Sequence, residues 1–96
     1  MNIVIVGCGK VGQKLAEQLS REEIHNITVL DTRYNVVQDI INMYDVMGVV
    51  GSCTDIDVLN EAGVKDADIV ICNGSPFEIS TTIETVLIDG KVVVNN

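Results

Sequence analysis

Gly7-Cys8-Gly9-Lys10-Val11-Gly12 has the residue types and the spacing to bind an anion. The glycines stand as G-x-G-x-x-G. Between a strand and a helix, such a loop cradles the pyrophosphate of a dinucleotide. Gly7 permits the tight turn, Gly9 lets the backbone approach the phosphates, and Gly12 lets the helix pack on the strand. A helix opening at Lys10 and Val11 would aim its first amides, and the positive end of its dipole, at the same phosphates. Asp31 stands 19 residues after Gly12, at the end of the next strand-like run. Its carboxylate can accept hydrogen bonds from ribose hydroxyls. An acid there prefers a free 2′-hydroxyl and repels a 2′-phosphate, which favours NAD(H) over NADP. Thr32 follows it. Arg33 leaves the choice open, because a nearby arginine could tolerate a 2′-phosphate.

The elements that must position these residues are regular. Ile3-Val4-Ile5-Val6 is wholly apolar and β-branched, as in a strand buried on both faces of a parallel sheet. Val11, Leu15 and Leu19, with Ala16 beside them, form one stripe of a helix. Ile27–Leu30 is a second strand, ending at Asp31. Val37, Ile40, Ile41 and Tyr44 mark a second amphipathic helix, and Val46–Val50 a third strand. Thr54 is the expected cap of a short third helix, with Asp55 and Asp57 in its first turn and Gly63 closing it. Asp68–Cys72 is a fourth strand. Alternating strands and helices predict an α/β, Rossmann-like three-layer fold. Its four parallel strands take the order 3-2-1-4. Right-handed crossovers place the first two helices on one face and the third on the other.

The tail reads differently. Ser75-Pro76-Phe77-Glu78 is a helix-start signature. Ile83–Ile88 and Lys91–Val94 are β-rich and separated only by Asp89-Gly90, a strong hairpin signal. The expectation is one domain over 1–96. Residues 1–72 form a truncated dinucleotide-binding part, and 73–96 form a C-terminal β-hairpin. Ile83–Ile88 would lie beside the fourth strand, with Val92–Val94 at the edge.

Composition narrows the function classes. The chain has 96 residues, 47% of them apolar, and a net charge of −8. Phosphate backbones and anionic membrane surfaces would repel it, so neither nucleic acid nor direct membrane insertion is expected. No apolar run approaches the length of a membrane span, and Met1 leads almost directly into a strand, so no secretion leader is expected. Cys8, Cys53 and Cys72 are few and odd in number, which fits a reducing cytoplasm. Lacking C-x-x-C spacing, they read as small buried residues rather than metal ligands. His25 falls at the amino ends of the strands, opposite to where such sheets bind ligands, and no catalytic role is expected of it.

From Asn2 to about Cys72 the chain resembles the N-terminal nucleotide-binding domain of TrkA-type potassium-transport regulators, also called RCK or KTN domains. The resemblance rests on Ile3–Gly12, Val29-Leu30-Asp31, Val49–Asp55 and Leu59–Val64 running into Ala67-Asp68. It implies a cytoplasmic module that binds NAD(H) or an adenine nucleotide (AMP, ADP or ATP) and acts on a potassium channel subunit without a reaction of its own. It also implies that Gly51–Asp55, with Cys53 and Thr54, lie along the adenosine, and that Asn73 and Gly74 border the second half of the ligand. The segment from Gly74 to Lys91 resembles instead the C-terminal tail of imidazolonepropionase-like amidohydrolases, without that family's metal ligands or catalytic residues. The combination implies a recombined or engineered chimera, joined near Asp68–Cys72, whose main property could be folding alone. A thinly covered sheet face or a free edge strand would then favour a homodimer. Without later strands, adenosine and pyrophosphate contacts are expected to survive better than nicotinamide contacts. A dehydrogenase would need a further domain to supply a hydride-acceptor site.

Overall fold

Residues 1–7, 9–73 and 91–95 are described in a computed structural model. The chain runs β1 (Asn2–Val6), α1 (Lys10–Ser20), β2 (Asn26–Asp31), α2 (Tyr34–Met43), β3 (Met47–Val50) and α3 (Ile56–Glu61). A 3-10 turn (Val64–Asp66), β4 (Ile69–Asn73) and β5 (Lys91–Asn95) complete it. The strands form one sheet in the order β3-β2-β1-β4-β5, and every pairing is parallel. The predicted order 3-2-1-4 is therefore present.

The alternation of the strands divides the core in two. Ile3 and Ile5 of β1, with Ile27 and Val29 of β2, pack on Ala16, Val37 and Ile40, under α1 and α2. Val4, Val6 and Leu30 turn the other way and meet Leu59, Ala62 and Val64, under α3 and the 3-10 turn. This is the predicted division of helices between faces, and it follows from right-handed crossovers on either side of β1. Ile5, Leu30, Ile40 and Leu59 are fully buried, each worth about 1.5–3 kcal/mol against exposure. Close approach depends on Gly48. A Cβ there would lie 2.5 Å from both Ile41 Cδ1 and Val37 Cγ1, so α2 sits directly on β3.

Two expectations need correction. The cap of α3 is Asp55, not Thr54: the Asp55 carboxylate accepts the Asp57 N–H at 2.9 Å. Both residue types cap well, and here the Thr54 hydroxyl is engaged with Ser52 Oγ at 2.8 Å instead. The second correction concerns the tail. Lys91–Asn95 pairs directly with β4, in parallel, with Ile71 opposite Val93. It occupies the edge assigned to Ile83–Ile88, which lie outside the described residues. The connection through residues 74–90 exceeds the dozen or so residues that a parallel crossover requires, so length does not force a hairpin beside β4.

Candidate functional site

β1 is where the chain changes direction across the sheet. β2 flanks it on one side and β4 on the other, and α1 and α3 pack on opposite faces. Open α/β sheets bind ligands at the carboxyl ends of the strands at such a switch point. A cavity of about 110 Å³ lies there, lined by Gly7, Leu30, Asp31, Thr32, Gly51 and Cys53 among others.

The glycine loop has the local geometry its spacing predicts. Gly7 adopts φ 88°, a left-handed conformation that favours glycine. Its N–H donates to the Leu30 carbonyl at 2.8 Å, which pins the loop across the end of β2. Gly9 is the N-cap of α1, and its carbonyl accepts the Gln13 N–H at 2.9 Å. At φ −70° its backbone would suit any residue, and a Cβ placed on it would meet no atom of the described residues beyond its chain neighbours within 4 Å. Neither packing nor backbone conformation demands glycine there. Among the described residues the space in front of it is open, at the positive end of an 11-residue helix with no acid in its first turn. With no side chain at the cap, nothing in that position competes with an external anion for the first amides. Gly12 is buried early in α1, as close packing of helix on strand requires. Cys8 lies outside the described residues, and Lys10 and Val11 open α1.

Asp31 closes the other side of the cavity. It ends β2 and is only 8% exposed. Its Oδ1 accepts from the Arg33 backbone N–H at 2.9 Å and from Arg33 Nε at 3.0 Å, and its Oδ2 accepts from Arg33 Nη2 at 3.0 Å. The guanidinium thus forks both carboxylate oxygens, while the Arg33 side chain stays 58% exposed. The Asp31 carbonyl accepts the Gly51 N–H at 3.1 Å and brings the loop after β3 to the same wall. Gly51 is fixed by packing: a Cβ there would lie 2.9 Å from both methyls of Val58 on α3.

Cys53 lines the cavity, half-buried, and Cys72 is buried beneath it in the α3-side core. Burial pushes the Cys72 thiol up to about 11, with the neighbouring Cys53 adding to the effect. Burial likewise raises Cys53, opposed by a backbone hydrogen bond and helped by the negative charge of Asp31. Both are neutral thiols near pH 7, in keeping with a packing role. Thr54 is exposed and hydrogen-bonded to Ser52, outside the cavity wall. Asn73 ends β4, and Gly74 lies outside the described residues.

The structure therefore brings Gly7, Asp31, Thr32 and Cys53 together, sets Gly9 and Gly12 at the helix entry, and leaves Thr54 aside. Sequence reasoning missed the Asp31–Arg33 fork. Its signal was the Asp-x-Arg spacing at a strand end, read only as a complication for 2′-phosphate selection. A larger depression of about 320 Å³, lined by Asn2, Thr28, Met47 and Gly63 among others, lies at the amino ends of the strands. It has neither the glycine loop nor the amino terminus of α1, so size alone does not make it the better site. His25 is at that end too, in contact with Glu22.

The family model described as the TrkA-N domain matches residues 3–89. The match crosses the junction expected at Asp68–Cys72 and continues into the tail, so it marks no break there. Among curated proteins, the chain is 39% identical over 80 residues to the Trk system potassium uptake protein TrkA of Halomonas elongata. The match covers 83% of this chain and 17% of that protein. It is 39% identical over 71 residues to the TrkA of Vibrio alginolyticus, covering 74% and 15%. The chain thus spans about a sixth of the length of these relatives. Among solved structures, it is similar to the TrkA-N domain of inner membrane protein ybaL from Escherichia coli. That match has a TM-score of 0.86 and 22% identity, covering 97% of this chain and 70% of that one. The GsuK channel bound to NAD aligns with a TM-score of 0.80 and 23% identity, covering 99% and 18%. The AMP-bound Kef C-terminal domain of Shewanella denitrificans aligns with a TM-score of 0.73 and 22% identity, covering 98% and 58%. At these identities the structural matches establish the fold.

Proposed function

Because the chain belongs to the TrkA-N domain family, we propose that it is a non-catalytic nucleotide-binding module that regulates potassium transport. The ligand is NAD(H) or an adenine nucleotide such as AMP, ADP or ATP. One observation carries the reading: among the described residues Gly9 faces open space at the mouth of α1, and the carboxylate of Asp31 lines the adjoining cavity. Phosphates would sit on the first turn of α1, within reach of the Lys10 and Val11 amides. Asp31 would take the ribose, and Gly51 and Cys53 would border the adenosine. Asn73, the last residue of β4, and Gly74, next to it in sequence, would border the second half of a dinucleotide. NAD in the GsuK channel and AMP in the Kef domain support this ligand class.

The partner is a potassium channel or transporter subunit, as the names of the TrkA relatives support. Among the described residues no helix is long and apolar enough to cross a membrane, and the module works on the cytoplasmic side. Association with a second copy belongs to the same reading. Met47 and Val50 are exposed on β3, which is the last strand on its side of the sheet. Sedimentation over a range of concentrations checks it, and a monomer throughout would remove that part.

Calorimetric titration with NAD, NADH, ADP and AMP tests the nucleotide reading. Micromolar binding to wild type, weakened about tenfold or more in Asp31→Asn, is the expected result. A folded protein that binds none of the four refutes it.

A further inference from the structure

Asp31 is the proposed ribose acceptor, and its carboxylate already has a partner. The Arg33 guanidinium approaches edge-on, with Nε on Oδ1 and Nη2 on Oδ2, both at 3.0 Å. A vicinal ribose diol would offer its two O–H donors to the same pair of oxygens. The competitor is tethered only two residues away, so its local concentration is high and does not dilute. It is also displaceable. The Arg33 side chain is 58% exposed, so water can solvate the guanidinium once it leaves, while the O–H donors of the diol take its place on the buried carboxylate. The carboxylate keeps its orientation without the guanidinium, because the Arg33 backbone N–H donates independently to Oδ1 at 2.9 Å.

Resting on the nucleotide-binding reading, we propose that Arg33 is a built-in competitor for the ribose diol and sets which ribose the site accepts. Two effects of opposite sign follow from the one contact. For a ligand with a free 2′-hydroxyl, the diol can engage both carboxylate oxygens only once the guanidinium leaves Oδ1, which already accepts two N–H donors, and this lowers affinity. For a ligand with a 2′-phosphate, the guanidinium cancels the charge of the carboxylate that would otherwise repel it, and its N–H groups can turn to the phosphate oxygens. An unpaired acid at the end of β2 would discriminate sharply against 2′-phosphate. The paired one discriminates less.

The test is calorimetric titration of wild type, Arg33→Ala and Arg33→Lys with AMP, 2′-deoxy-AMP and adenosine 2′,5′-bisphosphate. Lysine keeps the charge but cannot fork both oxygens. AMP is expected to bind Arg33→Ala about threefold to tenfold more tightly than wild type, with Arg33→Lys between them. The gain is smaller for 2′-deoxy-AMP, which lacks one hydroxyl, and the bisphosphate binds Arg33→Ala more weakly than wild type. A residue that only stabilised the loop would move all three ligands in the same direction. If wild type binds AMP and neither variant binds it more tightly, the inference is overturned while the nucleotide reading stands. If wild type binds none of the probes, both fall. If Arg33→Ala does not fold, Arg33→Lys decides: tighter AMP binding supports the competitor role, and unchanged or weaker binding overturns it.

Discussion

Replacing Gly9 with serine should separate stability from binding. The backbone at Gly9, φ −70° and ψ −163°, is extended and suits a side chain, and the added Cβ meets no atom of the described residues beyond its chain neighbours within 4 Å. Serine is a better N-cap than glycine by a few tenths of a kcal/mol. Removing a glycine also lowers the entropy of the unfolded chain, an effect of about 0.4–1 kcal/mol in the Gly→Ala case. Gly9→Ser is therefore expected to stabilise the fold by about 0.5–1 kcal/mol, a rise in Tm of about 2–8 °C for a domain of this size. The same hydroxymethyl group would stand in the space assigned to the pyrophosphate. Nucleotide affinity should fall about tenfold or more, equivalent to at least about 1.4 kcal/mol. Thermal melts and calorimetric titration of the same preparation read both quantities. A variant that is stabilised yet binds AMP as tightly as wild type would refute the reasoning, because the open space in front of Gly9 would then not be where the ligand lies. A variant destabilised by more than about 1 kcal/mol would refute the packing argument.

Other outcomes follow from the core and the caps. Gly48→Ala should cost about 1–3 kcal/mol in urea unfolding, because its Cβ would press on Ile41 and Val37 at 2.5 Å. Asp55→Ala removes the cap of α3 and should cost about 0.5–2 kcal/mol in the same assay. The Cys72 thiol is raised from 9.0 to about 11 in the fold. Between those values the unfolded chain loses the proton while the native one keeps it, so stability present below pH 9 is lost as pH rises toward 11. Urea midpoints measured from pH 8 to 11 should show that fall, and Cys72→Ala should flatten it.

The first half of the chain was legible because its signals are local and agree with one another. The β-branched run Ile3–Val6, the stripe through Leu15 and Leu19 and the acid at Asp31 all point to one strand–helix–strand unit, and the structure places them so. The helix cap was missed by one residue. Thr54 and Asp55 are both capable caps, and only the hydrogen bonds to Ser52 and Asp57 distinguish them. The strand that pairs with β4 was misassigned for a different reason. Asp89-Gly90 is a local turn signal, whereas the pairing of Lys91–Asn95 with Ile69–Asn73 is a contact between distant segments that turn chemistry does not encode. The chimera expectation arose from the same segment, and the family match through residue 89 gives it no support. At the site, sequence spacing placed Arg33 near Asp31. Which rotamer the arginine takes, and so whether it forks the carboxylate or points to solvent, depends on geometry at the strand end that spacing does not contain.

The central claim is that a nucleotide sits at the carboxyl ends of β1 and β2, with its phosphates on the amino terminus of α1. A crystal structure of this chain grown with AMP tests it most directly. The account predicts the phosphate within hydrogen-bonding distance of the first amides of α1, the ribose against Asp31, and the Arg33 guanidinium displaced from the carboxylate. AMP bound in the depression beside Met47 and Gly63, with the glycine loop bare, would contradict it.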